Sequence, residues 1–388
     1  MNKKQSRLIA LLFGVIALTS CTSEVENLVS HEVRSIPTMN EQTLPISVID
    51  HFVTDQMAAL EIPGLSVAII SAGQIVYHRS YGIAEVGTNL VLDENSILEA
   101  ASLSKPVFAY FVLQMAERGL LDLDTPLHTY LPFPELETDR RYELITARMV
   151  LSHTSGFPNW RWFDPAPAER NIPRGTMYIK QQPGEFTYSG EAYHYLARVI
   201  AHLTGNDMKT LDELMTKEVS DPMGIKSFYW TWDESLESRK VSGHKLGASI
   251  GRDWPRSFPD DNRNEIGVAG RLHTEAHGYA QFLIALMNGG RLSESSLDEM
   301  LSPQSRVPHD SFDYLNKGII AWGLGIAIEP TPYGTRYKHG GNNGGFQSGF
   351  MFFRNKKLGY VFMANSDRGK EFNSALQEFI TVGVQKEP

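Results

Sequence analysis

Glu99-Ala100-Ala101-Ser102-Leu103-Ser104-Lys105-Pro106, continued by Val107-Phe108-Ala109-Tyr110-Phe111-Val112-Leu113-Gln114-Met115-Ala116, is the stretch from which the rest of the chain can be read. Apolar residues at Val107, Phe108, Phe111, Val112 and Met115 recur at helical spacing, which predicts an amphipathic or buried helix with Ser102 at its first turn. Arg118 and Gly119 close it, a cation in the last turn followed by a residue free to take the left-handed cap. Ser102 and Lys105 are three apart, so on a helix their side chains share a face. A serine hydroxyl beside an amine able to lose its proton is an activated nucleophile. Ser242-Gly243-His244-Lys245 repeats the spacing, but it sits among glycines with no apolar-periodic run after it, so no helix fixes its geometry.

Upstream, Lys3, Lys4 and Arg7 precede an apolar run over 8–18, shorter than the roughly 18 residues of a spanning helix, so 1–20 reads as a secretory signal. Leu18-Thr19-Ser20-Cys21 resembles a bacterial lipobox. Cys21 is the single cysteine, so no internal disulfide is possible and lipidation at Cys21 is the economical reading. Thr22, where an aspartate would signal retention, favours the outer membrane by resemblance to Gram-negative sorting rules, facing the periplasm. Residues 21–44 are polar and read as a tether, leaving 45–388 as the catalytic body. Hydrophobic content of 42% suits a large soluble core. A net charge of −9 without a basic stripe excludes nucleic acid as a partner.

The body opens with a predicted helix over 46–60, then a hairpin whose strands, 65–70 and 74–81, flank Ala72-Gly73. Helices are expected over 147–151, 191–203, 208–218 and 274–287, strands over 322–328, 335–338, 347–354 and 358–364, and a last helix over 370–382. Strands at both ends with helices between predict an α+β fold: one antiparallel sheet built from both termini, flanked by helices, with an inserted helical lobe and a groove between.

Two further stretches belong at that groove. Gly184-Glu185-Phe186-Thr187-Tyr188-Ser189-Gly190 offers a tyrosine on a loop entering a helix. Lys338-His339-Gly340-Gly341-Asn342-Asn343-Gly344-Gly345-Phe346 follows a short strand, and its glycines let a ligand approach the backbone. Ser102-x-x-Lys105, then Tyr188-Ser189-Gly190, then His339-Gly340-Gly341 resembles the three-motif order of the class C β-lactamase family, which also holds DD-peptidases and related esterases. Leu151-Ser152-His153-Thr154-Ser155-Gly156 resembles a further signature of that family, and the likeness covers about 44–382.

The resemblance implies a β-lactamase-like fold and a role for each residue. Ser102 would be the nucleophile and Lys105 the group that helps deprotonate it, since a buried lysine tends to lose its proton. Tyr188 would shuttle the proton, its phenolate favoured by Lys105 and by His339 if protonated. The N–H groups of Ser102 and Asn342 would form the oxyanion hole, with Gly340, Gly341 and Gly190 beside the substrate. No metal or organic cofactor is required by this chemistry. Most β-lactamases of the family carry Lys-Thr-Gly at the third motif and asparagine as third residue of the second. Here His339, Gly340 and Gly190 stand instead, so two handles that hold a substrate carboxylate and side-chain amide are absent. Arg161 could replace the missing charge.

Rival motifs read as structural. Gly247-Ala248-Ser249-Ile250-Gly251 matches a nucleophile elbow, but Arg252-Asp253-Trp254-Pro255 starts no helix. His273 and His277 are four apart as in a metal pair, yet the segment is not His-Glu-x-x-His and Thr274 reads as a helix cap. His153 reads as a hydrogen-bonded structural residue. The aromatic loop Asn159-Trp160-Arg161-Trp162-Phe163 is read as a substrate wall rather than a core plug. The sequence thus points to a lipid-anchored serine hydrolase acting on an ester or amide of a small molecule or peptide through an acyl-Ser102 intermediate. A β-lactamase or penicillin-binding DD-peptidase is the alternative, and a catalytically silent binding protein on the same fold is a third.

Overall fold

The computed structural model describes residues 35–253 and 263–384. The expected signal and the expected lipidation point Cys21 lie outside them, as do Trp254 and Pro255 after the glycine-rich elbow motif. Residues 35–44, expected within the tether, instead join Pro45 in pairing as β1 (Ser35–Pro37) and β2 (Thr43–Pro45), and bury Ile36 and Leu44. The apolar pair in this polar stretch gives it a core to join, so the body begins by Ser35.

Next come α1 (Ile46–Ala59) and the hairpin β3 (Gly64–Ser71) and β4 (Gln74–Gly82). Its turn places Ala72 and Gly73 at positive φ, 51° and 76°, as the right-handed twist of a two-residue hairpin requires. The short strand β5 (Leu98–Ala101) leads into α2 (Ser104–Glu117), then α3 (Ala147–Leu151), α4 (Gly190–Leu203), α5 (Leu211–Met215) and α6 (Leu236–Arg239). The hairpin β6 (Gly243–Lys245) and β7 (Ala248–Gly251) precedes β8 (Leu272–Thr274), α7 (Ala276–Asn288) and α8 (Glu294–Leu301). Last are β9 (Ser305–Arg306), α9 (Phe312–Lys317), β10 (Ala321–Trp322), β11 (Ala327–Thr331), β12 (Gly334–Asn342), β13 (Gln347–Phe353), β14 (Leu358–Ala364) and α10 (Gly369–Val382).

Eight strands form one antiparallel sheet in the order β4-β3-β14-β13-β12-β11-β10-β9, so the chain's two ends meet where β3 pairs with β14. The strict period of two explains its two cores. Leu65, Val67 and Ile69 of β3, with Tyr360 and Phe362 of β14, pack with Ile49 and Val53 of α1 and Phe372 and Leu376 of α10. Ala68, Ile70, Val361 and Met363, the alternate residues, join the core of the helical lobe that includes α2, α4 and α7. The sheet is therefore buried on both faces at its centre, along β3 and β14.

Several elements differ from the sequence reading for local reasons. The strand expected over 322–328 is broken into β10 and β11, because Gly323 lies against the Met300 carbonyl and Gly325 takes a φ of 80°. Gly340 and Gly341, expected beyond the strand over 335–338, lie within β12. Thr274 ends β8 and does not cap α7; the cap is Glu275, whose carboxylate accepts the N–H groups of His277 and Gly278. The histidine pair is thereby split between a strand and a helix. Among the described residues no group of three or more His, Cys, Asp or Glu could hold a metal. Neither the second Ser-x-x-Lys nor the Gly-x-Ser-x-Gly stretch leads into a helix; each contributes to the β6–β7 hairpin.

Candidate active site

Ser102 sits on a turn between β5 and α2. Ala101 takes a φ of 49°, a costly conformation for a residue with a Cβ, and it makes the sharp exit that sets Ser102 at the mouth of the helix. Ser104 braces this turn: its hydroxyl donates to the Ala101 carbonyl at 2.6 Å and accepts the Leu272 N–H at 3.0 Å. The helix is buried on all sides from Ser104 to Met115, which is why Lys105 is buried as well. Its Nζ lies 3.3 Å from Ser102 Oγ, donates to the Ala269 carbonyl at 2.6 Å and stands 4.8 Å from the centre of the Tyr188 ring. Burial without a carboxylate partner pulls the ammonium down to about 7.

Tyr188 ends the loop that enters α4. Ser189 caps the helix, its hydroxyl accepting the Ala192 N–H at 3.0 Å and donating to the Pro158 carbonyl at 2.7 Å. His153 holds the same loop, its ring stacked on Tyr188 at 4.2 Å and its Nδ1 accepting the Ser189 N–H at 3.2 Å. Burial keeps His153 well below the ordinary histidine value, so it stands neutral as a structural residue. Burial lifts the Tyr188 phenol above its usual range, and only its hydrogen bond with Ser102 works the other way.

His339 departs from the role the resemblance implied. Burial, and then the charge of Lys105, pulls its imidazole down to about 3. A histidine this dry carries no charge at neutral pH, so it cannot draw Tyr188 into a phenolate. Its Nδ1 donates to the Gly340 carbonyl at 2.8 Å, which fixes the tautomer and leaves Nε2 as an acceptor. Burial also leaves Lys105 able to give up its proton near neutral pH.

The third wall is the end of β12. Asn343 N–H bonds the Phe346 carbonyl at 3.0 Å, closing the turn to β13. Bonded and non-bonded pairs alternate along an antiparallel ladder, so Asn342, opposite Gln347, turns its N–H away from β13. On its other side β11 pairs only as far as Lys338, and the Asn342 amide is left open to the cleft. The Ser102 amide lies ahead of the first helical bond, from the Lys105 N–H to the Ser102 carbonyl at 3.1 Å, and is an orphan donor by position. Gly341 admits this arrangement: a Cβ there would come within 2.5 Å of the Ala100 carbonyl oxygen and 2.2 Å of Ser348 Oγ. Gly340 is the opposite case, since the nearest atom to its added Cβ is 4.0 Å away.

Ser102, Tyr188, His339, Gly340, Gly341 and Asn342 line one cleft of about 1080 Å³, together with Asn159, Phe312, Leu315 and the Lys370 end of α10. Three expectations fail here. Gly190 does not line it, because the Trp160 ring covers that residue and would meet an added Cβ at 2.3 Å. Trp162 likewise packs on Gly175, so Trp160 and Trp162 are plugs and not a substrate wall. Arg161 is held by Glu191, at 3.0 Å, and by Glu135, at 2.6 Å, and brings no charge to the cleft. Asn159, the first residue of the loop expected to wall the substrate, does face it. The Gly190 N–H donates to Asn159 Oδ1 at 3.0 Å, which orients the amide and leaves Nδ2 as a donor.

The sequence matches the Beta-lactamase family model over residues 49–383. Penicillin-binding protein 4* of Bacillus subtilis is 24% identical over 80% of this chain and 70% of its own length. The putative penicillin-binding protein PbpX of the same organism is 24% identical over 82% of this chain and 84% of its own. Among solved structures, the octameric penicillin-binding protein homologue from Pyrococcus abyssi superposes with a TM-score of 0.68 at 22% identity, over 83% of this chain and 74% of that one. The D-alanine carboxypeptidase AmpC from Burkholderia cenocepacia does so at 0.65 and 19%, over 86% and 98%. With the sheet, the inserted helical lobe and the full span of the match in agreement, this chain belongs to the Beta-lactamase family of serine hydrolases.

Proposed function

We propose that the protein cleaves an ester or amide through an acyl-Ser102 intermediate. The observation that carries this reading is the 3.3 Å approach of Lys105 Nζ to Ser102 Oγ, joined to a burial that leaves the amine able to take a proton near neutral pH. Lys105 accepts the Ser102 proton as Oγ bonds to the substrate carbonyl carbon. The carbonyl oxygen gains the negative charge and is met by the N–H groups of Ser102 and Asn342. Tyr188, a phenol, hydrogen-bonds to Ser102 and donates to the leaving group as the carbonyl re-forms. Lys105 returns its proton to Tyr188; water then adds to the acyl carbon as it gives a proton to Lys105, Tyr188 protonates Ser102 Oγ as the acyl bond breaks, and Lys105 restores the phenol.

A fluorophosphonate probe tests this reading, because it needs an activated serine and nothing else. The wild-type protein is expected to gain one adduct at Ser102, read by intact mass, and Ser102→Ala none. An unlabelled wild type would move the protein to the silent binding class.

A second reading, action on a cell-wall peptide or a β-lactam, is favoured by the names of the relatives. Against it stand two features of the pocket. Nothing at Gly340 supplies a hydroxyl, and Trp160 covers Gly190 where the family's β-lactamases present an asparagine side chain. Exposed Phe312 and Leu315 at the cleft suit an apolar acyl or alcohol group. The open space at Gly340 makes this testable. Gly340→Thr is expected to fold as the wild type and to lower KM for a carboxylated ester by about tenfold, the worth of one hydrogen bond to a charged group, with a neutral isostere unaffected. Equal effects on both substrates would mean that no carboxylate lies beside residue 340.

A further inference from the structure

Asn343, next to the proposed oxyanion donor, has a side chain that points back into the protein. Its Nδ2 donates to Glu99 Oε2 at 2.8 Å and to the Gly270 carbonyl at 3.0 Å. Each acceptor belongs to a different wall of the site. Glu99 is on β5, three residues before Ser102. Gly270 adjoins Ala269, whose carbonyl receives Lys105 Nζ at 2.6 Å. Glu99 is itself immobilised: it is buried, Lys240 Nζ lies 3.0 Å from Oε1, and His273 Nε2 is 3.7 Å away. Asn343 also fixes its own turn, since its N–H bonds the Phe346 carbonyl and its carbonyl accepts the Gly345 N–H at 3.1 Å.

Resting on the acyl-serine reading above, we propose that Asn343 is a positioning residue that clamps the turn bearing Asn342 to the strand bearing Ser102 and to the loop that holds Lys105. One NH₂ group shared between two rigid acceptors sets the separation of the two oxyanion donors and ties that separation to the base. The physical need is plain. Both donors are backbone amides on separate elements, a strand end and a helix start, and no backbone ladder joins β12 to β5: in the sheet β12 pairs with β11 and β13, while β5 pairs with β8. Ser348, donating to the Ala100 carbonyl at 2.7 Å, ties β13 to β5 at the level of Gly341. The turn beyond Asn342 has Asn343 for the same purpose. Donors that stray by about 1 Å forfeit roughly a hundredfold in rate, so a clamp of this kind acts on turnover rather than on substrate affinity.

The test uses Asn343→Ala in the full chain, with active sites titrated by the fluorophosphonate so that only competent protein is counted. Hydrolysis of an alkyl ester is compared with that of its thiono analogue, in which sulfur replaces the carbonyl oxygen and fits an oxyanion hole poorly. We expect kcat per titrated site for the ester to fall about thirtyfold with KM within twofold, as for a weakened oxyanion donor. The preference for oxygen over sulfur should shrink about tenfold. A merely structural role would lower the titre and leave that preference as it was, and an unchanged preference with full turnover per site would overturn the proposal. Should the wild type itself take no label, the acyl-serine reading falls first and this proposal with it; label with an unchanged preference sinks this proposal alone.

Discussion

A Lys105→Met variant is expected to lose about 10³-fold in kcat/KM, within the range that a positioned general base supplies, while melting no lower than the wild type at pH 6. The two halves of this result have one cause. Lys105 is buried on a helix with no carboxylate beside it, and that burial brings it to about 7. Between pH 7 and the ordinary lysine value near 10.4 the unfolded chain binds a proton that the folded chain does not, so stability rises with pH across that window. Below pH 7 the folded protein carries the full cost of a buried ammonium, about 5 kcal/mol for a shift of this size. Methionine fills the same space without the charge, so the variant is relieved of that cost and loses only the hydrogen bonds to Ser102 and Ala269. The same shift fixes the pH profile. Wild-type kcat/KM should climb through an apparent pKa near 7 as Lys105 becomes neutral. With His339 at about 3, no second limb from that residue falls between pH 5 and 9. A profile that is flat across pH 7, or a variant that keeps its activity, would remove Lys105 as the base.

Much of the fold was legible because its signals are local. The apolar runs of β3, β13 and β14, the Ala72-Gly73 turn and the run from Val107 to Met115 each state their own geometry. The first failures came where a residue's surroundings decide its behaviour. Ser102, Lys105 and Tyr188 meet as their motif order implied, yet the charge of His339 depends on burial, which no motif spells. Gly190 looked like an emptied substrate contact; what fills the space is Trp160, thirty residues earlier. Arg161 looked like a free cation because its partners, Glu135 and Glu191, lie 26 and 30 residues away along the chain. Asn159 and Asn343 are ordinary loop asparagines in the sequence. They matter only because of which atoms their amides find, Gly190 N–H for one and Glu99 with Gly270 for the other.

Glu99→Gln is expected to cost about 3–5 kcal/mol of stability, the usual penalty for leaving one member of a buried ion pair without its partner. Glu99 and Lys240 are both buried, 3.0 Å apart, and the Lys240 ammonium otherwise meets the Asp253 carbonyl at 3.2 Å and the face of Phe346. Burial alone would raise the Glu99 carboxyl. Lys240, with the hydrogen bonds from His273 and Asn343, overcomes it and holds the group at about 2. A carboxyl depressed in the folded state gives stability that is present above its unfolded value near 4.3 and is lost as pH falls toward 2. The gap between wild type and Glu99→Gln in urea should therefore be constant from pH 5 to 7 and close as pH drops from 4 to 2. A double variant, Glu99→Gln with Lys240→Met, decides whether the charge is the cause. Removing both ions from a dry site is close to neutral, so it should recover most of the loss. If the double variant is as weak as the single one, the carboxylate acts through its bonds to Asn343 and the β5–β8 ladder, and the ion pair is incidental. Recovery of stability without recovery of turnover would separate the two duties of this one side chain: Oε1 answers Lys240 and keeps the fold, while Oε2 answers Asn343 and keeps the geometry around Ser102.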